Sequence, residues 1–546
     1  MEKSKSSGII VSASAILAVI LIVVSILLIN QKRKLDEHRE AVLKETINYN
    51  EAYETRLDSF YKFADKKLAE REKIIAVREA DYDRYSFETY GMAHLSMWDI
   101  SGLSENKYEE FFGKNIKYAN YMYTTPMELK GYLEHIFSSE NSIGHLYINI
   151  DPYLLEKNYY DALIYEQEPV SFENYIHSEI FPILDANPDT RFEFFLPSRP
   201  VSYWASIPIS EYSEILDKWY TFLMYLHWCP NAVVRYMGGE EWLVSNDLNY
   251  VSPERLKDDV MQKVYVYLYA YEQYEITPPE LKQRKSTLDK YIRKYINGEY
   301  DICDLSDYKI VFMGDSLFDY IKMDSAAVPG VVKRMTGAEC YNVSLGGTLV
   351  SAIDRYGFTG IANTIAMKGT IDLESRSRNE ALRFSQDYKE GDSLIFVVLY
   401  GLNDYFSNVP ISPGDIVAKE PEEEGDSATE YMDESTFLSS YEFGLESIKL
   451  AYPESEILVV TPYGPEMTED LKKKDAETGK KLTDYISTIE AICKKKGIPY
   501  YDLYKDGPIN KTNRLEYLVD GIHTNEKGAF LLGENIARKI AEEVSE

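Results

Sequence analysis

The second half of this chain alternates short apolar runs with longer segments of helical pattern, and few folds accept that alternation. The apolar runs are Lys309–Met313, Ser393–Tyr400, Glu456–Thr461 and Pro499–Asp502. Thr436–Tyr452, Lys480–Lys496 and Glu526–Glu543 read as helices. Strands joined through helices run parallel, and the helices cover the faces of the sheet. Residues 301–546 are therefore expected to form an α/β domain. Between Pro410 and Ser435 the acidic stretch Lys419-Glu420-Pro421-Glu422-Glu423-Glu424-Gly425-Asp426 reads as a solvated loop beside whatever site the domain carries.

Open parallel sheets place their chemistry at the C-terminal ends of the strands. Four segments fall there, in order. Met313-Gly314-Asp315-Ser316-Leu317 follows the first strand and puts a hydroxyl at the sheet edge. Tyr341-Asn342-Val343-Ser344-Leu345-Gly346-Gly347 ends a short strand with two glycines, where a backbone N–H can approach a ligand closely. Tyr400-Gly401-Leu402-Asn403-Asp404 adds an amide, and Asp520-Gly521-Ile522-His523 precedes the last helix. Asp315 reads as a hydrogen-bonding residue of the turn, and Asp404 as a candidate helix cap.

Together these four segments resemble the signature blocks of the SGNH (GDSL-type) hydrolase superfamily, over about residues 305–546. The resemblance implies a flavodoxin-like three-layer α/β/α sandwich and an esterase. It implies Ser316 as nucleophile, His523 as base and Asp520 as the partner of that base. The oxyanion hole would combine the Ser316 N–H, a glycine N–H and the Asn403 side chain. Gly347 is the better match for the glycine, five residues after Asn342, with Gly346 as the alternative. The chemistry is coherent. A serine hydroxyl is a weak nucleophile until an imidazole takes its proton, a carboxylate orients that imidazole, and fixed donors stabilise the oxyanion. No cofactor or metal is expected.

Residues 81–300 read as a second α/β domain with a mostly parallel sheet, from the runs Leu146–Ile150, Phe192–Leu196 and Val233–Met237. The domain faintly resembles a degenerate SGNH-like copy, akin to the D-alanylation protein of lipoteichoic acid synthesis. No Asp-x-x-His stands in its last segment, Glu241 to Tyr250, so no catalysis is assigned to it. Its aromatics Trp98, Tyr159, Tyr160, Tyr203, Trp204, Trp228, Tyr236 and Trp242 are expected to serve packing rather than stacking on sugar rings. His94 and His145 are expected to be core or surface histidines. Glu240 and Glu241 are adjacent and do not suit a glycosidase pair.

At the N-terminus, Ser6 to Asn30 carries no charge and is long enough to span a hydrocarbon layer of about 30 Å. Residues 1–30 are expected to be an uncleaved transmembrane anchor. Residues 31–80 are expected to be a helical stalk, either pairing as a coiled coil in a homo-oligomer or folding back on the next domain. Basic residues alone (Lys3 and Lys5 before the span; Lys32, Arg33, Lys34 and Arg39 after it) would keep the body in the cytoplasm, but a long following domain weakens that rule. The family resemblance implies instead an extracellular body at the cell membrane.

Composition narrows the partners. Ninety acidic residues against 59 basic ones give a net charge of -31, which repels phosphate backbones and excludes nucleic acid as a partner. The expected substrate is a small acyl ester, O-acetyl on a cell-surface or extracellular glycan. An O-acyltransferase using the same residues and a non-catalytic glycan-binding scaffold are the alternatives.

Overall fold

The computed structural model describes residues 179–196, 198–208, 231–253, 255–270, 274–350, 356–366, 376–415, 436–463 and 480–545, together with strands at 91–96, 118–122 and 143–149 and scattered positions up to 230. The anchor expected at 1–30, the stalk expected at 31–80 and the acidic stretch 416–435 lie outside the described residues. Among the described residues no helix is long and apolar enough to cross a membrane.

The first sheet contains β1 (Gly91–Ser96), β2 (Tyr118–Met122), β3 (Ile143–Asn149), β4 (Arg191–Leu196) and β5 (Ala232–Tyr236). Its order is β2-β1-β3-β4-β5 and every pairing is parallel. His94 lies on β1 and His145 on β3. Leu146, Ile148, Phe192, Phe194, Ala232 and Val234 on one face and Tyr147, Phe195 and Val233 on the other are buried, as strands covered on both faces require. Trp204, Tyr236 and Trp242 are buried too, so these aromatics serve the core. Two long helices follow the sheet: α1 (Asp258–Ala270) and α2 (Pro278–Ile296). The start of α2 is fixed by Glu280, which accepts the Thr277 N–H at 2.8 Å and its hydroxyl at 2.7 Å.

The second sheet contains β6 (Tyr308–Gly314), β7 (Glu339–Asn342), β8 (Ser393–Leu399), β9 (Glu456–Val460) and β10 (Tyr500–Tyr501). Its order is β7-β6-β8-β9-β10, again wholly parallel. Both sheets thus run second-first-third-fourth-fifth. The chain leaves β6 through the short α3 (Ser316–Asp319) and continues to α4 (Val328–Thr336), α5 (Phe358–Ala366), α6 (Phe437–Ala451), α7 (Leu482–Lys496) and α8 (Glu526–Ser545). The helices pack in two groups, α4 with α8 and α5 with α6 with α7. Glycines bring the partners close. A Cβ on Gly533 of α8 would stand 2.7 Å from the Val331 side chain of α4, and one on Gly444 of α6 would stand 2.5 Å from Phe358 of α5.

Both sheets belong to one compact unit, Phe87–His227 with Asn231–Glu546. They meet through polar contacts around α8. Lys263 Nζ of α1 lies 3.2 Å from Glu526 Oε1, and the Tyr267 hydroxyl donates to the same carboxylate. Lys527 Nζ lies 3.0 Å from Glu240 Oε2, while Glu241 receives Lys294 at 2.7 Å and the Tyr300 hydroxyl at 2.8 Å. Asn246 Nδ2 donates to the Ser325 carbonyl at 2.6 Å. The segment after β5 is therefore used for joining the two halves. Through Glu526, the first long helix after the fifth strand of one sheet, α1, touches the first long helix after the fifth strand of the other, α8.

Candidate active site

Four connections at the C-terminal edge of the second sheet build the site. The first leaves β6 at Gly314, where a Cβ would stand 2.8 Å from the Phe318 ring and 3.0 Å from the Leu399 carbonyl. Glycine there lets the chain turn at once into α3, so that Ser316 begins the helix. Asp315 caps it, its Oδ1 accepting the Leu317 N–H at 2.9 Å. Burial pushes the Asp315 carboxyl up to about 7, against the opposing pull of the Leu317 N–H. Its place is that of a turn residue, as its position in sequence implies.

The second connection, 342–350, is tied down at nearly every residue. Asn342 Nδ2 donates to the Phe318 carbonyl at 3.0 Å, and its Oδ1 accepts the Ser344 N–H at 3.2 Å. Asp319 Oδ2 accepts the Gly346 N–H at 2.9 Å and pairs with Lys322 Nζ at 2.8 Å. A Cβ on Gly346 would lie 3.5 Å from Ser316 Cβ, so this turn runs directly beside the serine. Gly347 takes φ +79°, a left-handed conformation that favours glycine. Among the described residues the Gly347 N–H donates to no backbone or side-chain acceptor, whereas the Gly346 N–H is committed to Asp319.

The third connection brings Asn403 alongside. Its Nδ2 donates to the Thr348 carbonyl at 3.0 Å, which leaves the second hydrogen of that amide for another acceptor. Asp404 is fully buried and receives the Val350 N–H at 3.0 and 3.1 Å on its two oxygens. It fastens the glycine turn to the helix Leu402–Phe406. The helix-cap reading of Asp404 gives way here, because Gly401 is the N-cap and no side chain caps that helix.

The fourth connection carries Asp520 and His523. The Val519 N–H donates to the His523 carbonyl at 2.8 Å, and Leu518 bridges Thr524, closing a tight turn. Gly521 supplies φ +84°. The hydroxyl of buried Tyr463 donates to the Ile522 carbonyl, fixing the turn from below. Burial raises the Tyr463 hydroxyl well above its ordinary value, and the Asp315 and Asp520 carboxylates add to this, so it stays a neutral donor.

Within this frame Ser316, His523 and Asp520 come together. His523 Nε2 lies 2.9 Å from Ser316 Oγ, and His523 Nδ1 lies 2.7 Å from Asp520 Oδ2. Asp520 Oδ1 also accepts the N–H groups of Ile522 at 3.0 Å and His523 at 2.8 Å. Partial burial pushes the Asp520 carboxyl up, but the His523 N–H, the His523 ring and the Ile522 N–H outweigh it and hold the group below the ordinary range. A proton on Nδ1, facing this carboxylate, leaves Nε2 to accept the serine O–H. The arrangement can move a proton from Ser316 to His523 while Asp520 stays ionised. Among the described residues no cluster suited to a metal ion occurs.

Sequence reasoning missed Asp319 and Tyr463. Asp319 stands one helical turn after Ser316, a spacing that would have flagged it. Nothing in the sequence near Tyr463 marks its reach to residue 522.

Known proteins provide an independent comparison. The family model described as GDSL-like lipase/acylhydrolase matches residues 310–536. No curated protein matches the chain. Among solved structures, a protein from Lactobacillus plantarum is 19% identical with a TM-score of 0.30, covering 44% of this chain and 96% of its own. A possible lipase from Chitinophaga pinensis is 16% identical with a TM-score of 0.27, covering 43% of this chain and 98% of its own. An acetyl xylan esterase is 18% identical with a TM-score of 0.27, covering 43% of this chain and 99% of its own. Likenesses at these scores say nothing about this chain's substrate. The family match stands without them, and residues 310–536 of this chain are a GDSL-like lipase/acylhydrolase domain, an ester-hydrolysing enzyme.

Proposed function

We propose that this domain hydrolyses small acyl esters through an acyl-enzyme on Ser316. The observation that carries the reading is the continuous chain from Ser316 Oγ through the His523 ring to Asp520. Ser316 Oγ attacks the ester carbonyl carbon as its proton passes to His523 Nε2. The oxyanion faces the N–H groups of Ser316 and Gly347 and the remaining amide hydrogen of Asn403. Collapse expels the alcohol, which takes the proton back from His523. Water then repeats the sequence on the acyl-enzyme, releasing the acid and restoring the serine. Gly347 is preferred over Gly346 as the oxyanion donor because Asp319 already holds the Gly346 N–H.

The small-acyl and glycan part of the reading rests on polarity. The stretch 419–426, some sixteen residues beyond Asn403, is acidic rather than apolar, which suits a polar alcohol portion better than a fatty chain. An extracellular body on an N-terminal anchor, with residues 81–300 as an SGNH-like copy without catalysis, completes the proposal. The shared strand order of the two sheets supports that last point, and the two helix groups suit a three-layer sandwich. A hydrolysis panel of acetylated oligosaccharides and C2 to C16 acyl esters tests the substrate class. Highest kcat/KM on acetyl esters, lost in Ser316→Ala, is expected; a preference for long acyl chains would overturn the small-acyl reading.

A further inference from the structure

The triad described above is open to solvent at its Asp520 end. The side chain of Asp520 is 46% exposed and that of His523 is 21% exposed. The imidazole bonds Ser316 through one nitrogen and Asp520 through the other, so a rotation of its ring breaks both bonds together. One face of the ring is nevertheless covered. The Tyr320 ring lies parallel to it, with centroids 4.3 Å apart and planes within 11°. Tyr320 closes α3, its N–H donating to the Ser316 carbonyl at 2.8 Å. The four-residue spacing sets Tyr320 one turn beyond the serine, and a helical side chain leans back over the preceding turn. The same turn of helix thus carries the hydroxyl and the wall against which the histidine rests. Tyr320 itself is 41% exposed, so no core packing demands an aromatic residue at this position.

We propose that Tyr320 is a positioning residue of the hydrolase, its ring face holding the His523 imidazole in the plane that joins Ser316 to Asp520. The inference rests on the triad reading above. It predicts that the ring, not the phenolic hydroxyl, matters. In the full chain, with p-nitrophenyl acetate as substrate, Tyr320→Leu lowers kcat about tenfold and leaves KM within about twofold, while Tyr320→Phe retains wild-type kcat. Melting temperatures of both variants stay near wild type, as expected for a half-exposed site. If Tyr320→Leu proves too unstable to assay, Tyr320→Gln, long but without a ring, carries the same expectation. Wild-type kcat in a ringless variant, or equal losses in Tyr320→Phe and Tyr320→Leu, would overturn the proposal. Labelling by a fluorophosphonate probe separates it from the triad reading. Probe bound equally by wild type and Ser316→Ala sinks the triad, whereas probe lost only in Ser316→Ala with Tyr320→Leu fully active sinks the role of Tyr320 alone.

Discussion

Asp319 accepts the Gly346 N–H at 2.9 Å, so the acid one turn after the serine holds the glycine turn that lies beside that serine. Removing the carboxylate releases the turn without touching Ser316, His523 or Asp520. Asp319→Ala is expected to lower kcat about tenfold to a hundredfold, the range set by partial loss of an oxyanion donor, with little change in KM. Steady-state kinetics on a short acyl ester check this. A larger rise in KM than fall in kcat would place Asp319 in ground-state binding instead.

The buried Asp315 gives stability an uncommon pH dependence. Its folded value of about 7 lies above the unfolded value of about 3.9, so the folded protein holds this proton more tightly. The contribution is full below about 4 and is lost as pH rises through about 7. The wild type should therefore lose melting temperature between pH 5 and pH 8. Asp315→Asn keeps a capping side chain but cannot titrate, and should flatten that part of the profile. Thermal melts across the range check it, and parallel profiles would contradict it.

Asp520 has the opposite linkage. Its carboxyl is held below its ordinary value, so its contribution is present above the unfolded value near 3.9 and is lost only as pH falls further. Asp520→Asn removes both the charge facing His523 Nδ1 and the preference for the productive tautomer. A loss in kcat of about a hundredfold or more is expected, with KM nearly unchanged. A variant within threefold of wild type would show that the exposed carboxylate does not orient the ring.

Glu526 joins the two halves of the molecule. It is buried, receives Lys263 and Tyr267 from α1, and stands three residues after His523. Glu526→Ala removes the hydrogen bond from the half-buried Tyr267 hydroxyl to a carboxylate and should cost about 1–3 kcal/mol, the usual range for a hydrogen bond to a charged group. Lys263 is partly exposed and returns to water at little cost. Chemical denaturation measures the loss. An unchanged midpoint would mean that the seam contributes nothing at this point.

Much of the fold was legible because the central strands are apolar runs bounded by turn residues. Lys309–Met313 and Ser393–Tyr400 match β6 and β8 to within a residue at each end. β1 (GMAHLS) and β2 (YANYM) were not legible, since small, polar and apolar residues mix within five or six positions and no period emerges. At the site, Ser316, Asn403 and His523 could be read from their places at strand ends and before a helix. Spacing from Asn342 already favoured Gly347 over Gly346, but the bond that holds the Gly346 N–H could not be read, because Asp319 reaches across from another connection. Tyr320 and Tyr463 were hidden for the same reason: their partners lie 203 and 59 positions away, at His523 and Ile522.

The central claim is that Ser316 forms the covalent intermediate. Peptide mass spectrometry after fluorophosphonate treatment tests it most directly. The account predicts a single adduct on the peptide containing Ser316, formed slowly or not at all in His523→Ala and absent from Ser316→Ala. An adduct on another residue, or labelling undiminished in both variants, would contradict it.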